Sequence, residues 1–262
     1  MSVSISSINY CPVKSISFQT INECKIKKNI GIVGDRIFAF SKSLDLKQAQ
    51  LFEKNLKERR GKWNKILTLK NSPSLNKYNF LLDNDKLTLT QNNNEILKID
   101  INNTSEYEQV TNKILELENS LSKPIYLMKN TEIPFFDTSI SNKSVLTHSI
   151  SLLNNKSIQD FENKTKQEIE SQRFRGNIYI DGTEAWEERN WIGKTIKINN
   201  ILFKVEKNIP RCVAINLKPN TNDNSLNLLQ SLKKNYNHFD MGIYLTALDD
   251  GQLSIGDNVY VN

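Results

Sequence analysis

Four short segments place groups that could do chemistry at the ends of apolar runs. In IPRCVAINLKP (residues 209–219), Cys212 directly follows Arg211. A neighbouring cation lowers a thiol's pKa and favours the thiolate, the form that serves as nucleophile or metal ligand. A lone cysteine at a strand end is otherwise a small, inert core residue. Neighbours on a strand point to opposite faces, so adjacency alone leaves both readings open. RFRGNIYIDG (173–182) puts Arg173 and Arg175 on one face if extended, with Asn177 just ahead of an alternating apolar run. Guanidinium groups take phosphate in a bidentate grip. CPVKSI (11–16) offers Lys14 and Ser15 after a proline, and GIVGDR (31–36) offers Arg36 at a strand start after two glycines. The latter lacks the lysine and spacing of a P-loop. Basic groups near strand ends in separate segments suit an anion if the fold makes them converge.

Other chemistries find less support. Three cysteines (Cys11, Cys24, Cys212) without a CxxC pair give neither a disulfide framework nor a zinc site. Two histidines, His148 and His238, exclude a His-rich metal centre, and three cysteines are too few for a four-cysteine iron–sulfur cluster. No nucleophile elbow accompanies those histidines. His148 reads as a loop histidine, Glu187 and Glu188 as a solvated face, and the two tryptophans of GTEAWEERNWIGK as cover for a core edge. A net charge of +6 attracts anions. The basic residues are mixed with acids along the whole chain, and no nucleic-acid-binding motif is present. A small phosphate-bearing ligand accounts for the charge as well as nucleic acid does. No nucleic-acid partner is expected, although a basic nucleic-acid-binding protein remains an alternative reading.

The elements that must position these groups are short strands punctuated by turns. Alternating or β-branched runs predict strands over 5–13, 15–27, 35–41, 65–70, 78–83 and 86–91. From about Arg173 the pattern returns over 176–182, 194–199, 200–207, 212–218, 242–249 and 252–261. Helices are expected over 46–60, over 107–121 with apolar residues at 110, 114, 115, 117 and 121, and over 152–165 with Ser157 near its start like a cap. The Asn runs at 92–94 and 102–103 mark polar turns. The expected fold class is mainly β with a few helices (α+β): two packed β-rich units split near 120–145, with barrel-like closure. There is no run of 18 uncharged apolar residues and no secretory signal, so neither a membrane span nor export is expected. The expected location is cytoplasmic.

The order CPVKS, GDR, RFRGNIYIDG, an AW…WIG loop, RCVAINLKP, MGIYLTAL and LSIGDNVYV resembles the MOSC family. More closely, it is similar to proteins in which an N-terminal MOSC-associated β-barrel domain precedes the MOSC domain. That group includes the mitochondrial amidoxime reducing component and bacterial relatives. The resemblance implies domains at 1–122 and 123–262, the second a MOSC-type β-barrel binding the molybdopterin form of the molybdenum cofactor. By motif match Cys212 would be the metal ligand and catalytic centre, with Pro210 and Arg211 lining the cofactor. Lys14, Ser15 and Arg36 would hold the pterin and its phosphate. Arg175 and Asn177 match the family's RxN, and Tyr244 a cofactor-side tyrosine. Asn154 and Ser157 match a polar helix start near the pterin, and His148 and Ser149 lie in the preceding stretch. The chemistry agrees, since an anionic phosphate wants Lys and Arg and molybdenum takes a soft thiolate.

Two departures stand out. Where many relatives carry two threonines after the cysteine motif, this chain has Ile215 and Asn216. The ferredoxin-like domain that some bacterial relatives carry at the C-terminus is not in this sequence. The expected function is reduction of N-hydroxylated small molecules, with electrons from a separate iron–sulfur or haem protein. A cofactor or sulfur carrier without turnover of its own is the alternative.

Overall fold

The computed structural model describes residues 2–16 and 18–261. Its strands are β1 (Ser4–Tyr10), β2 (Gln19–Ile21), β3 (Glu23–Lys27), β4 (Gly31–Ile32), β5 (Phe38–Phe40), β6 (Tyr78–Asp83), β7 (Lys86–Gln91) and β8 (Asn94–Asp100). They continue as β9 (Leu127–Lys129), β10 (Ile150–Asn154), β11 (Ile178–Asp181), β12 (Thr195–Ile198), β13 (Ile201–Pro210), β14 (Asp240–Ala247), β15 (Gly251–Ser254) and β16 (Val259–Val261). The helices are α1 (Leu46–Lys54), α2 (Leu56–Arg59), α3 (Tyr107–Leu117), α4 (Asp137–Ile140), α5 (Asn155–Thr165) and α6 (Leu228–Tyr236).

Mainly β with a few helices is what forms. The largest sheet runs β16-β12-β13-β14-β10-β11-β1-β2. All its pairs are antiparallel except β10 with β11, which α5 joins as a crossover. Its inward residues, among them Ile5, Leu152, Ile178, Phe203 and Ile243, make the first core. A second core gathers around the β6-β7-β8 meander, β5 with β9, and α3, through Phe38, Phe40, Phe80, Leu89 and Ile114.

Among the described residues the ladder does not close into a full barrel, where the sequence expectation was barrel-like closure. β1 pairs with β11 along one edge and divides its other edge between two partners. Ile8 to Tyr10 take β2. Near Ile5 the same edge meets the turn before β16, through Ile5 N to Asp257 O at 2.9 Å and Gly256 N to Ile5 O at 2.8 Å. Only an isolated bridge, Ser4 with Asn258, results.

Several elements differ from the periodicity. Residues 65–70 form no strand, because Asn71 folds them into a turn, its Oδ1 accepting Thr68 N at 2.9 Å. Residues 213–216 form a 3-10 turn, entered after Pro210 ends β13. β8 was missed; it returns from β7 through Asn92 and Asn93, whose positive φ angles of 51° and 64° suit a tight hairpin. The helix expected over 46–60 breaks at Asn55 into α1 and α2. The cap of α5 is Asn154, which accepts Lys156 N at 3.0 Å, and not Ser157. Ser17, inside the expected 15–27 strand, lies outside the described residues. No helix among the described residues is long and apolar enough to cross a membrane.

Candidate functional site

β13, β14 and β10 lie side by side and set Lys207, Tyr244 and Ser151 in one row, with Tyr244 paired to both of the others. This row forms part of a cleft of about 620 Å³. That volume is in the range of pockets that enclose a drug-sized molecule. Seven basic residues line it (Lys14, Arg36, Lys70, Arg173, Arg175, Lys207 and Arg211) against one acid, Asp137.

Cys212 follows the end of β13, at the start of the 3-10 turn 213–216, and is exposed among the cleft's lining residues. Arg211 is tied to backbone: Nε donates to Met241 O at 2.9 Å and Nη1 to Phe174 O at 2.7 Å. Burial holds its guanidinium below its ordinary pKa. The close approach at β14 needs Gly242, whose φ is +79° and where a Cβ would lie 2.5 Å from Leu152 O. Gly176 plays a similar part, since a Cβ there would lie 2.4 Å from Leu153 Cδ1.

Three non-glycine residues on the cleft wall sit in the left-handed region: Ser15 (φ 67°), Arg36 (φ 54°) and Arg175 (φ 51°). Each conformation costs about 1–2 kcal/mol, and such strain collects at sites where the fold over-determines a side chain's position. The surrounding bonds supply that restraint. Arg36 N donates to Cys11 O at 2.6 Å, and Arg36 O accepts from Phe135 N at 2.8 Å. Its guanidinium pairs with buried Asp35. Burial opposes the Arg36 charge, but Asp35 and its neighbours outweigh this and hold the pKa above the ordinary value. Lys14, 2% exposed, forms an ion pair with Asp137. Arg175 Nη2 lies 3.3 Å from Cys11 Sγ, and burial raises the pKa of that thiol.

Of the residues expected to form the site, Lys14, Ser15, Arg36, Arg175, Pro210, Arg211, Cys212 and Tyr244 all line this cleft. Asn177 does not; it lies behind Arg36, bonded to Asp35, Asn9 and Ser151. Ser149 also stands behind the wall, 3.4 Å from Thr138 Oγ1, and His148 Nδ1 faces Thr147 at 3.1 Å. Asn154 and Ser157 belong to a different cluster. Both donate to Glu188, which is fully buried and not part of a solvated face. Trp191 is buried and Trp186 packs against Tyr236 with centroids 4.4 Å apart and the rings tilted by 51°, so that loop covers a core edge as expected.

Arg173 and Arg175 do not share an extended face: residues 171–174 are a 3-10 turn, and Arg173 reaches Asn216 O at 2.8 Å. Both nonetheless meet the cleft. At the two departures from the family pattern, Ile215 is 3% exposed, and Asn216 Oδ1 accepts Leu229 N at 3.1 Å in the first turn of α6. Sequence reasoning missed Trp63, Lys70, Asp137 and Lys207, which also line the cleft. No local signal marks them.

A family model for the MOSC domain matches residues 122–260, more than half of the chain. The chain is similar to the mitochondrial amidoxime reducing component 2 of Rattus norvegicus, 28% identical over 123 residues, which are 42% of this chain and 36% of that protein. It is also similar to the molybdenum cofactor sulfurase of Drosophila ananassae, 30% identical over 115 residues, 42% of this chain and 15% of that protein. The matches thus span about a third or less of these curated relatives. Among solved structures, the YUAD protein from Bacillus subtilis is similar with a TM-score of 0.46 at 9% identity, covering 100% of this chain and 96% of that one. Since the family model spans more than half of its length, the chain belongs to the MOSC domain family.

Proposed function

We propose that this cleft holds the molybdopterin form of the molybdenum cofactor and that the protein reduces N-hydroxylated compounds with electrons from a separate redox protein. The observation that carries the reading is the exposed Cys212 thiol on a cleft with seven cations and one acid. The residues present fit the group. A thiolate is a ligand suited to molybdenum, Lys14, Arg36 and Arg175 suit a phosphate, and the volume suits a pterin. When bound, the cofactor would supply the redox centre that accepts the substrate's oxygen. The chain's own part is to ligate through Cys212, to clamp the phosphate, and to orient both by the backbone bonds that fix Arg211 and Arg36. The relatives named for amidoxime reduction support the reductase reading. The division into a MOSC-associated unit (1–122) and a MOSC domain (123–262) belongs to the same proposal.

The test is the molybdenum and pterin content of wild-type protein and Cys212→Ala, purified from a host that makes the cofactor. Near-stoichiometric metal in the wild type, lost or reduced in the variant, is the expected result. Folded wild-type protein with neither metal nor pterin would sink the reading. The likeness to a cofactor sulfurase favours a second reading, a carrier of cofactor or sulfur. Loaded protein that reduces no hydroxylamine or amidoxime with any artificial donor would select it.

A further inference from the structure

The cleft contains one carboxylate, and it stands among the cations. Asp137 opens α4, its side chain 60% exposed, yet it pairs with Lys14, which is 2% exposed. Arg36 and Arg175 act on the same carboxylate, and Asp137 in turn acts on Tyr244 and Arg211. The segment that presents it is held firmly: Phe135 N donates to Arg36 O, and the Arg36 guanidinium lies 5.7 Å from the Phe136 ring centroid.

An acid here weakens the site's attraction for an anion, whereas an asparagine would offer hydrogen bonds without the opposing charge. We infer that Asp137 is an internal counter-anion, which pairs with Lys14 in the ligand-free protein and competes with an incoming phosphate for it. The inference rests on the cleft being an anion site and not on which anion fills it. Desolvation by the cleft wall opposes ionisation of Asp137, but Lys14, Arg36 and Arg175 outweigh it and hold the carboxyl below its ordinary pKa, so the competitor is charged at neutral pH. Two chemical consequences follow. Simple anions bind weakly, because each must displace a tethered carboxylate. A ligand that brings further contacts, such as a thiol-reactive metal for Cys212, can afford the displacement, which gives the site selectivity against free phosphate.

The experiment titrates inorganic phosphate into full-length, cofactor-free protein at low ionic strength, followed by phosphorus NMR and by thermal shift. Asp137→Asn is expected to bind phosphate about tenfold more tightly than wild type, the scale of one partly screened charge pair. Asp137→Ser should do the same, which guards against a fold defect specific to one variant. In a Lys14→Met background the gain from Asp137→Asn should vanish, because the competition is for that lysine. Wild-type affinity that is unchanged or weakened by both substitutions overturns the inference. So does a gain that survives intact in Lys14→Met, since that would be general electrostatics. Either result leaves the cofactor reading standing, because that is decided by the metal and pterin content of the purified protein.

Discussion

Asn177 Nδ2 donates to Asp35 Oδ2 at 3.2 Å, and Asp35 carries the ion pair with Arg36. A residue of the 173–182 segment therefore fixes a cation supplied by the 31–36 segment. Asn177 is 1% exposed, accepts Ser151 N at 3.1 Å and Ser151 Oγ at 2.8 Å, and donates to Asn9 O at 3.1 Å. It acts through Arg36 rather than from the cleft wall. Asn177→Ala strips partners from two strands, β1 and β10, and from the turn that carries Asp35, and should destabilise the protein by about 3 kcal/mol in urea unfolding. It should also weaken phosphate binding. A variant as stable as wild type would show that the network holds nothing together.

Much of the fold is legible in the sequence where one face is buried and alternation is strict. β6 and β7 occupy the expected residues 78–83 and 86–91, and α3 buries Val110 and Ile114 with Leu115 and Leu117 packed beside them. Where turn chemistry competes with alternation, the turn wins, as at Asn71. The cleft residues that were legible, such as Lys14, Arg36, Arg175 and Cys212, lie in ordered motifs. Asp137 and Trp63 could not be read, because their placement depends on tertiary bonds. Glu188 was misread because it is buried by Asn154 and Ser157, more than thirty residues earlier in the chain.

Arg59 supplies one such tertiary bond set. It is fully buried, with Nε to Phe52 O at 2.9 Å, Nη1 to Ile133 O at 2.6 Å and Pro134 O at 3.1 Å, and its guanidinium 4.0 Å from the Phe135 ring centroid. Burial brings its pKa down to about 10, so it is still charged at neutral pH. Arg59→Met keeps the stem but leaves these carbonyls without donors, at a cost of about 3 kcal/mol. Hydrogen exchange should quicken over residues 133–140, which lead into and include α4, before it quickens in the large sheet. Uniform acceleration would mean that Arg59 supports the whole fold and not that segment.

Glu188 predicts a pH dependence of stability. Burial raises its pKa, with Asn154 and Ser157 offsetting part of the shift by donating to it. The folded state therefore holds a proton at pH values where the unfolded state has released it. Stability from this group is full below the unfolded value and is lost as pH rises through the folded value. Glu188→Gln should remove that fall while keeping the side chain's shape. Denaturant midpoints measured from pH 4 to pH 8 should run flatter in the variant. Parallel profiles would assign the slope to other groups.

Tyr244 separates binding from stability. Burial, with Asp137 second, pushes its phenol up to about 12, so it is protonated at any working pH. Its hydroxyl makes no hydrogen bond with the described residues, although its ring lines the cleft between Ser151 and Lys207. Tyr244→Phe should leave stability within about 0.5 kcal/mol of wild type, as for substitutions that break no buried bond. If the hydroxyl meets the ligand, molybdenum and pterin retained through gel filtration should drop several-fold in the same protein. Arg211→Lys should behave differently, because it breaks the paired bonds to Met241 O and Phe174 O and should lower both quantities together. Unchanged retention in Tyr244→Phe would confine that residue to shaping the cleft and move the ligand toward the Lys14 and Arg36 wall.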